Sequence, residues 1–307
     1  MDRSGNRTSR GNQTSVNGSA TQRSKLFPAR SIDATDPDSG QHRRQVQAYF
    51  DRAGPAWTEV YRERTVWGEI HQLRRALALA RVDELNLAAE SRVLEVGAGT
   101  GLLAIDLARR GFTVHSLDVS DAMVELAESQ ARASGFIDQI EVRKGDVHCL
   151  AYDSGSFDLV TMLGVLPFLD SPEAALGEIA RVLKPDAHVL LTSDNSSRLT
   201  FLFDPRFWPV LKAPRELVKR FVGRKGEFPF STHAFRQRDL IQLLNSADLD
   251  IQRVDGFGYG PFTLLGRQVV PDRLGILLQQ RLQQYADGGT SIVRSAASQH
   301  LVLAARA

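Results

Sequence analysis

Along this chain the apolar positions switch repeatedly between two spacings. Short apolar runs at 92–96, 114–118, 140–143, 157–162 and 188–192 read as buried strands. Between them, the segments at 101–110, 122–134 and 172–183 carry apolar residues at helical spacing. Such alternation predicts right-handed βαβ crossovers and a parallel sheet. Two further runs, at 251–254 and 301–305, predict two more strands, the first preceded by a helix over 238–247. The expected fold class is α/β: a doubly wound, mostly parallel, seven-stranded sheet with helices on both faces.

The rest of the chain departs from this repeat. Residues 1–40 are rich in Ser, Thr, Asn, Gly and Arg with almost no large apolar side chains. Such a segment cannot offset its ordering entropy by burial, so a disordered tail is expected, with order starting near Gln45. Tyr49, Phe50, Trp57, Tyr61 and Trp67 mark an aromatic-rich helical segment, and Ile70, Leu73, Leu77 and Ala80 a following helix. Residues 196–230 and 261–298 carry helical patterns and read as insertions on the substrate side. One domain over 41–307 follows, with helices at 41–88 and a core formed by 89–195, 231–260 and 299–307.

Composition narrows the function classes. A chain of 307 residues with 42% hydrophobic residues builds a sizeable core, and no run approaches a membrane span. The net charge is +2, which gives no whole-protein reason to expect a nucleic-acid partner. The single cysteine, Cys149, excludes an internal disulfide, argues against a cysteine zinc site and fits a reducing cytoplasm. Its apolar neighbours predict a buried structural thiol, and no metal is expected.

The chemistry concentrates in Val93-Leu94-Glu95-Val96-Gly97-Ala98-Gly99-Thr100-Gly101. A strand runs into three alternating glycines, and a helix then starts. Glycines let a ligand approach the backbone, and the helix start offers free amides. A dinucleotide fingerprint needs a sixth-position glycine, where Leu102 stands, and a Walker loop needs Lys-Ser/Thr, where Leu102-Leu103 stand. Asp118 ends the second strand about 20 residues past Gly97, the offset at which a carboxylate meets ribose hydroxyls.

These residues resemble the class I S-adenosylmethionine-dependent methyltransferases, with their Rossmann-like fold. The matching blocks are Glu95 to Gly101, Leu117-Asp118-Val119-Ser120, Lys144-Gly145-Asp146-Val147, Ser156-Phe157-Asp158-Leu159-Val160 and Arg181-Val182-Leu183-Lys184-Pro185, in the family's order. The resemblance implies S-adenosyl-L-methionine as cofactor. It assigns Asp118 to the ribose, Val119 and Met123 to the adenine faces, and Asp146 with the Val147 amide to the adenine edge. Glu95 with the amides of Gly97, Ala98, Gly99 and Gly101 would hold the methionine part, and Leu163-Gly164 would border the methyl donor.

A methyl acceptor of small-molecule type is expected, from quinone, tetrapyrrole, lipid or glycan pathways. The family's quinone and porphyrin members place a histidine just past the fourth strand, where this chain has Leu163-Gly164-Val165-Leu166-Pro167-Phe168. His233 and His71 are the remaining candidates for a general base. Tyr49, Phe50, Trp57 and Tyr61, and the insertion bearing Phe201, Phe203, Phe207, Trp208, Phe228 and Phe230, are candidate substrate covers. Lys212, Arg215, Lys219, Arg220, Arg224 and Lys225 read as a solvated face in preference to a membrane-contacting helix. The competing readings are a non-catalytic binding module on the same fold and a nicotinamide-dependent oxidoreductase. The intact glycine loop opposes the first, the failed sixth glycine the second.

Overall fold

The computed structural model describes residues 39–203, 232–264 and 267–307. Two helices lead in: α1 (Ser39–Val60) and α2 (Val66–Glu84). The alternating unit follows as β1 (Arg92–Val96), α3 (Leu102–Ala108), β2 (Thr113–Asp118), α4 (Asp121–Ala133), β3 (Ile140–Lys144) and β4 (Phe157–Met162). A 3-10 turn (Leu166–Phe168), α5 (Pro172–Val182), β5 (Leu183–Asp194) and the short α6 (Thr200–Phe203) come next. After α7 (Gln237–Asn245) and β6 (Leu249–Phe257), the chain forms a small ribbon, β7 (Thr263–Leu264) with β8 (Arg267–Gln268). It then runs through α8 (Asp272–Asp287), α9 (Ser291–Ser295) and β9 (Gln299–Arg306).

The main sheet has seven strands in the order β3-β2-β1-β4-β5-β9-β6. The first five are parallel, and β9 lies antiparallel between β5 and β6. This is the expected Rossmann-like, doubly wound sheet. Its central strands are apolar almost throughout because both faces are covered. Val93 points to the face carrying α2, α3 and Ala131 of α4, whereas Leu94 and Val96 point to the face carrying α5 and α7. Each fully buried leucine, such as Leu94, Leu176 or Leu244, contributes about 1.5–3 kcal/mol of burial free energy.

Local signals start the helices. Thr65 caps α2, its hydroxyl accepting from the Gly68 amide at 3.0 Å. Ser120 caps α4 in the same way through the Met123 amide, and Pro172 opens α5. Residues 261–298 hold the ribbon, α8 and α9. Asp272 at the start of α8 accepts from the Val66 amide at 3.1 Å, which ties that helix to the start of α2.

Several boundaries differ from the sequence expectation. The first helix begins at Ser39, within the expected tail and six residues before Gln45, because tertiary contacts anchor it: His42 Nε2 donates to the Phe168 carbonyl at 2.9 Å. Residues 1–38 lie outside the described residues. Strand β5 runs from Leu183 to Asp194, well past 188–192, since pairing with β9 continues to Asp194–Gln299. Cys149 is exposed, not buried; the turn after β3 directs Val147 and Leu150 inward and Cys149 outward.

His300 on β9 is 2% exposed, and neither ring nitrogen has a hydrogen-bond partner among the described residues. Burial lowers its pKa from the ordinary 6.5 to about 4, so the ring is neutral in the fold. Its contribution is intact above pH 6.5 and is lost as pH falls from 6.5 through 4, on the order of 3 kcal/mol in all. Urea denaturation of the wild type should show this loss across that window, and His300→Leu should remove that part of the acid sensitivity.

Candidate active site

The connection out of β1 makes the floor of the site. Gly97, Gly99 and Gly101 adopt φ values of 84°, 50° and 74°. The amides of Gly97 and Ala98 both donate to the Leu117 carbonyl, at 2.8 and 2.9 Å. The Gly99 amide donates to Asp118 Oδ2 and the Ser120 amide to Asp118 Oδ1, each at 3.0 Å. The loop is thereby pinned to the end of β2. Burial raises the Asp118 pKa, and these backbone donors only partly offset it.

Beneath the loop, Glu95 is 3% exposed. Burial pushes its pKa up to about 8, against hydrogen bonds from the Ser116 hydroxyl and the Ala104 amide. A buried carboxyl with no cation beside it takes up a proton or a cationic partner.

The cavity above the loop has about 1210 Å³ of empty space, its open mouth included, enough for a ligand of nucleoside size or more. Glu95, Gly97, Ala98, Gly99, Asp118, Val119, Met123, Asp146, Val147 and Leu163 all line it. Gly101 does not. It starts α3 in the left-handed region, and a Cβ there would lie 2.9 Å from the Ala127 backbone of α4. Its role is close helix packing.

Helix α1 lies across the mouth, contributing Arg43, Val46, Phe50 and Trp57 to the lining. Arg43 donates to Asp146 at 2.8 Å and pairs with Asp170 at 3.3 Å. Asp51 accepts from the Ser120 hydroxyl at 2.6 Å. Asp146 also accepts from His148, through the ring at 2.6 Å and the amide at 3.0 Å. The His148 ring, then its amide and Arg43, hold the Asp146 carboxyl well below the usual range, against the effect of burial.

A second cavity of about 830 Å³ adjoins the first. Phe50, Trp57, Arg74, Gly164 and Phe168 line both. The second is further lined by Trp67, His71, Asp194 and Arg198. His71 Nδ1 donates to the Trp67 carbonyl at 3.0 Å, which leaves Nε2 as the ring acceptor. Burial, followed by the charge of Arg74, lowers the His71 pKa well below the ordinary value. His233 lines neither cavity. Its amide donates to Pro167 and its ring stacks on Phe235.

Of the aromatic covers, Phe50, Trp57 and Tyr61 line the first cavity, whereas Tyr49 does not. Phe207, Trp208, Phe228, Phe230 and the basic residues 212–225 lie outside the described residues. Sequence reasoning passed over Arg43, Arg74, Asp194 and Arg198. Arg74 left a signal: Val66, Ile70, Arg74, Ala78 and Val82 recur every fourth residue and all are buried, so a cation sits in a core stripe. Arg198 left none, since it follows the last parallel strand in an aperiodic stretch.

No helix among the described residues is long and apolar enough to cross a membrane. Nor does any group of three or more His, Cys, Asp or Glu among them suit a metal ion.

Comparison with known proteins fits this geometry. Residues 94–191 match a methyltransferase-domain family. The ubiquinone biosynthesis O-methyltransferase of Paracidovorax citrulli is 30% identical over 224 residues, covering 70% of this chain and 85% of that protein. Its counterpart in Hahella chejuensis is 30% identical over 217 residues, covering 69% and 83%. The chain belongs to the class I S-adenosylmethionine-dependent methyltransferases. The enzyme uses S-adenosylmethionine to methylate a small-molecule acceptor. The magnesium protoporphyrin IX methyltransferase of Synechocystis PCC 6803, solved with SAH, shares the fold. Its TM-score is 0.58 at 19% identity, covering 87% of this chain and all of the other.

The glycine loop yields a stability test. Gly101→Ala places a Cβ both in the left-handed region and against Ala127, so it should destabilise the enzyme by about 1–3 kcal/mol in chemical denaturation. Unchanged stability would contradict the packing role.

Proposed function

We propose that this methyltransferase O-methylates a hydroxylated ring compound, of the kind its ubiquinone-pathway relatives are named for. The observation that carries the reading is the aromatic second cavity, which meets the glycine-loop cavity at Gly164. The residues of the first cavity fit S-adenosylmethionine. Asp118 is a buried acceptor beside loop amides, and Glu95 is a buried carboxyl whose raised pKa suits a cationic partner. When bound, this cofactor supplies a methyl group activated by a sulfonium centre.

The protein's part is to bind, orient and exclude water. Asp118 would hold the ribose hydroxyls, Val119 and Met123 would flank the adenine, and Asp146 with the Val147 amide would face its edge. Glu95 would face the amino-acid end, while the amides of Gly97, Ala98 and Gly99 are taken up by Leu117 and Asp118 and shape the loop beneath it. Asp146 is already engaged by Arg43 and His148, so adenine contact there requires sharing that acceptor with α1. Phe50, Trp57 and Phe168 wall the junction between the two cavities. His71 Nε2 takes the proton of the acceptor hydroxyl, since the stretch just past β4, Leu163 to Phe168, holds no histidine. A cytoplasmic location accords with the single exposed thiol.

Two measurements test the two halves. Glu95 is protonated in the unliganded enzyme at pH 7, and a cationic amino group beside it favours the carboxylate. Cofactor binding should therefore release a proton below pH 8, so affinity should rise with pH and level off above about 8. Calorimetric titration with S-adenosylhomocysteine in phosphate and in Tris should then give different heats; equal heats would count against the Glu95 assignment. For the acceptor half, His71→Phe should lower kcat by about 100-fold or more, with cofactor affinity retained. An unaltered kcat would remove His71 from the mechanism.

A further inference from the structure

Helix α8 is amphipathic in the inverse sense for a helix facing water. Its buried positions are Gly275, Gln279, Gln283 and Ala286, all small or polar. Gly275 lets the helix close on α2, since a Cβ there would lie 2.5 Å from the Val66 side chain. Gln283 accepts from the Gly258 amide at 3.2 Å and donates to the Gly256 carbonyl at 3.3 Å. Of its large apolar residues only Ile276 and Leu282 pack inward, each partly buried. The outward side carries Leu274 and Leu277, each 59% exposed, with Leu278 and Tyr285 exposed as well. Together with Arg281 these residues recur at intervals of three, four and seven, so they form one stripe along the helix. Val269 just before the helix and Ile292 just after it are also exposed. A continuous apolar stripe of this kind, backed by buried glutamines, marks a face that meets something other than water.

Charge narrows the occupant. Arg267, Arg273 and Arg281 are exposed and form no ion pair among the described residues. The two acids of α8 are already engaged. Asp272 accepts from the Val66 amide at 3.1 Å and from Gln268 at 3.0 Å, and Asp287 accepts from Gln283 at 3.0 Å. Glu69 of α2 accepts from Gln280 at 2.9 Å. The face thus offers leucines and free guanidinium groups, which suits an occupant both apolar and anionic. A second copy of this chain fits poorly. A two-fold contact would carry the same arginines on both sides and would desolvate Arg281 without a counter-ion. A lipid surface removes that conflict, because leucines enter the acyl boundary while arginine stems carry their charge out to the phosphates.

We propose that α8 is a docking face for an anionic lipid surface. The helix lies in the plane of the interface, with Leu274, Leu277, Leu278 and Tyr285 in the acyl boundary and Arg267, Arg273 and Arg281 on headgroup phosphates. The contact is peripheral, and it is independent of which acceptor the enzyme methylates.

The test is flotation of the full-length enzyme with two vesicle types, phosphatidylcholine alone and phosphatidylcholine mixed with phosphatidylglycerol. Wild type is expected to bind the mixed vesicles at least about tenfold more tightly. The double variant Leu274→Gln, Leu277→Gln should weaken that binding by at least about tenfold, and Arg281→Gln by about fivefold. Both variants change exposed side chains, and retained binding of S-adenosylhomocysteine shows that each is folded. Absent binding by wild type, or equal binding to both vesicle types, overturns the proposal. So does a double variant that binds within about threefold of wild type, which would assign lipid contact to another segment such as the basic stretch at 212–225. Sedimentation velocity covers the remaining occupant: a wild-type dimer that the double variant dissolves gives the stripe to a second copy and overturns lipid docking.

Discussion

Strands β1 and β4 are neighbours whose outgoing connections turn to opposite faces of the sheet. The helix after β1 packs with Val93, and the helix after β4 packs with Leu94 and Val160. Between them a crevice opens at the carboxyl ends of the strands, where ligands of doubly wound sheets bind. Everything in the site depends on that divergence. The glycine loop fills one side of the crevice, and Leu163-Gly164-Val165 fills the other. Asp118 then locks the arrangement by binding the Gly99 amide from the adjacent strand, so the loop is held before any ligand arrives.

That locking has an electrostatic cost concentrated in two carboxyls. Glu95 and Asp118 are both buried and both shifted toward the neutral form, and the charge of Asp118 adds to the shift of Glu95. A cavity whose floor carries two buried carboxyls, hydrogen-bonded but still shifted toward the neutral form, suits a ligand bringing an amino group and hydroxyls. Helix α1 follows the same logic. Arg43 on α1 pairs with Asp146 and Asp170 at the mouth, so the seating of the helix and occupancy of the Asp146 acceptor share one carboxylate.

The sheet and the cofactor floor were legible in the sequence because their signals are local. A buried parallel strand is a short apolar run, and the loop is a glycine pattern on its end. Gly101 shows the limit: a third glycine in the motif read as a ligand contact, whereas its missing Cβ makes room for Ala127, which no local pattern could reveal. Cys149 shows another, since apolar neighbours do not fix which way a turn directs a side chain. Arg74 was visible only as an anomaly, a cation in a buried four-residue stripe.

The acceptor half was not legible, for a topological reason. Its walls come from α1, α2, the 3-10 turn, the end of β5, the stretch after it and the approach to β9, far apart in sequence. Apart from α2, whose Trp67, Ile70, His71 and Arg74 share one helix face, each segment contributes only a few residues, and their meeting leaves no local pattern. This division also separates two functions physically. His71, Arg74 and Arg198 take part in none of the bonds of the Gly99–Asp118 lock, which lie within the β1–β2 pair. The cofactor floor is thus built from local β1–β2 bonds, and the adjoining cavity from long-range contacts.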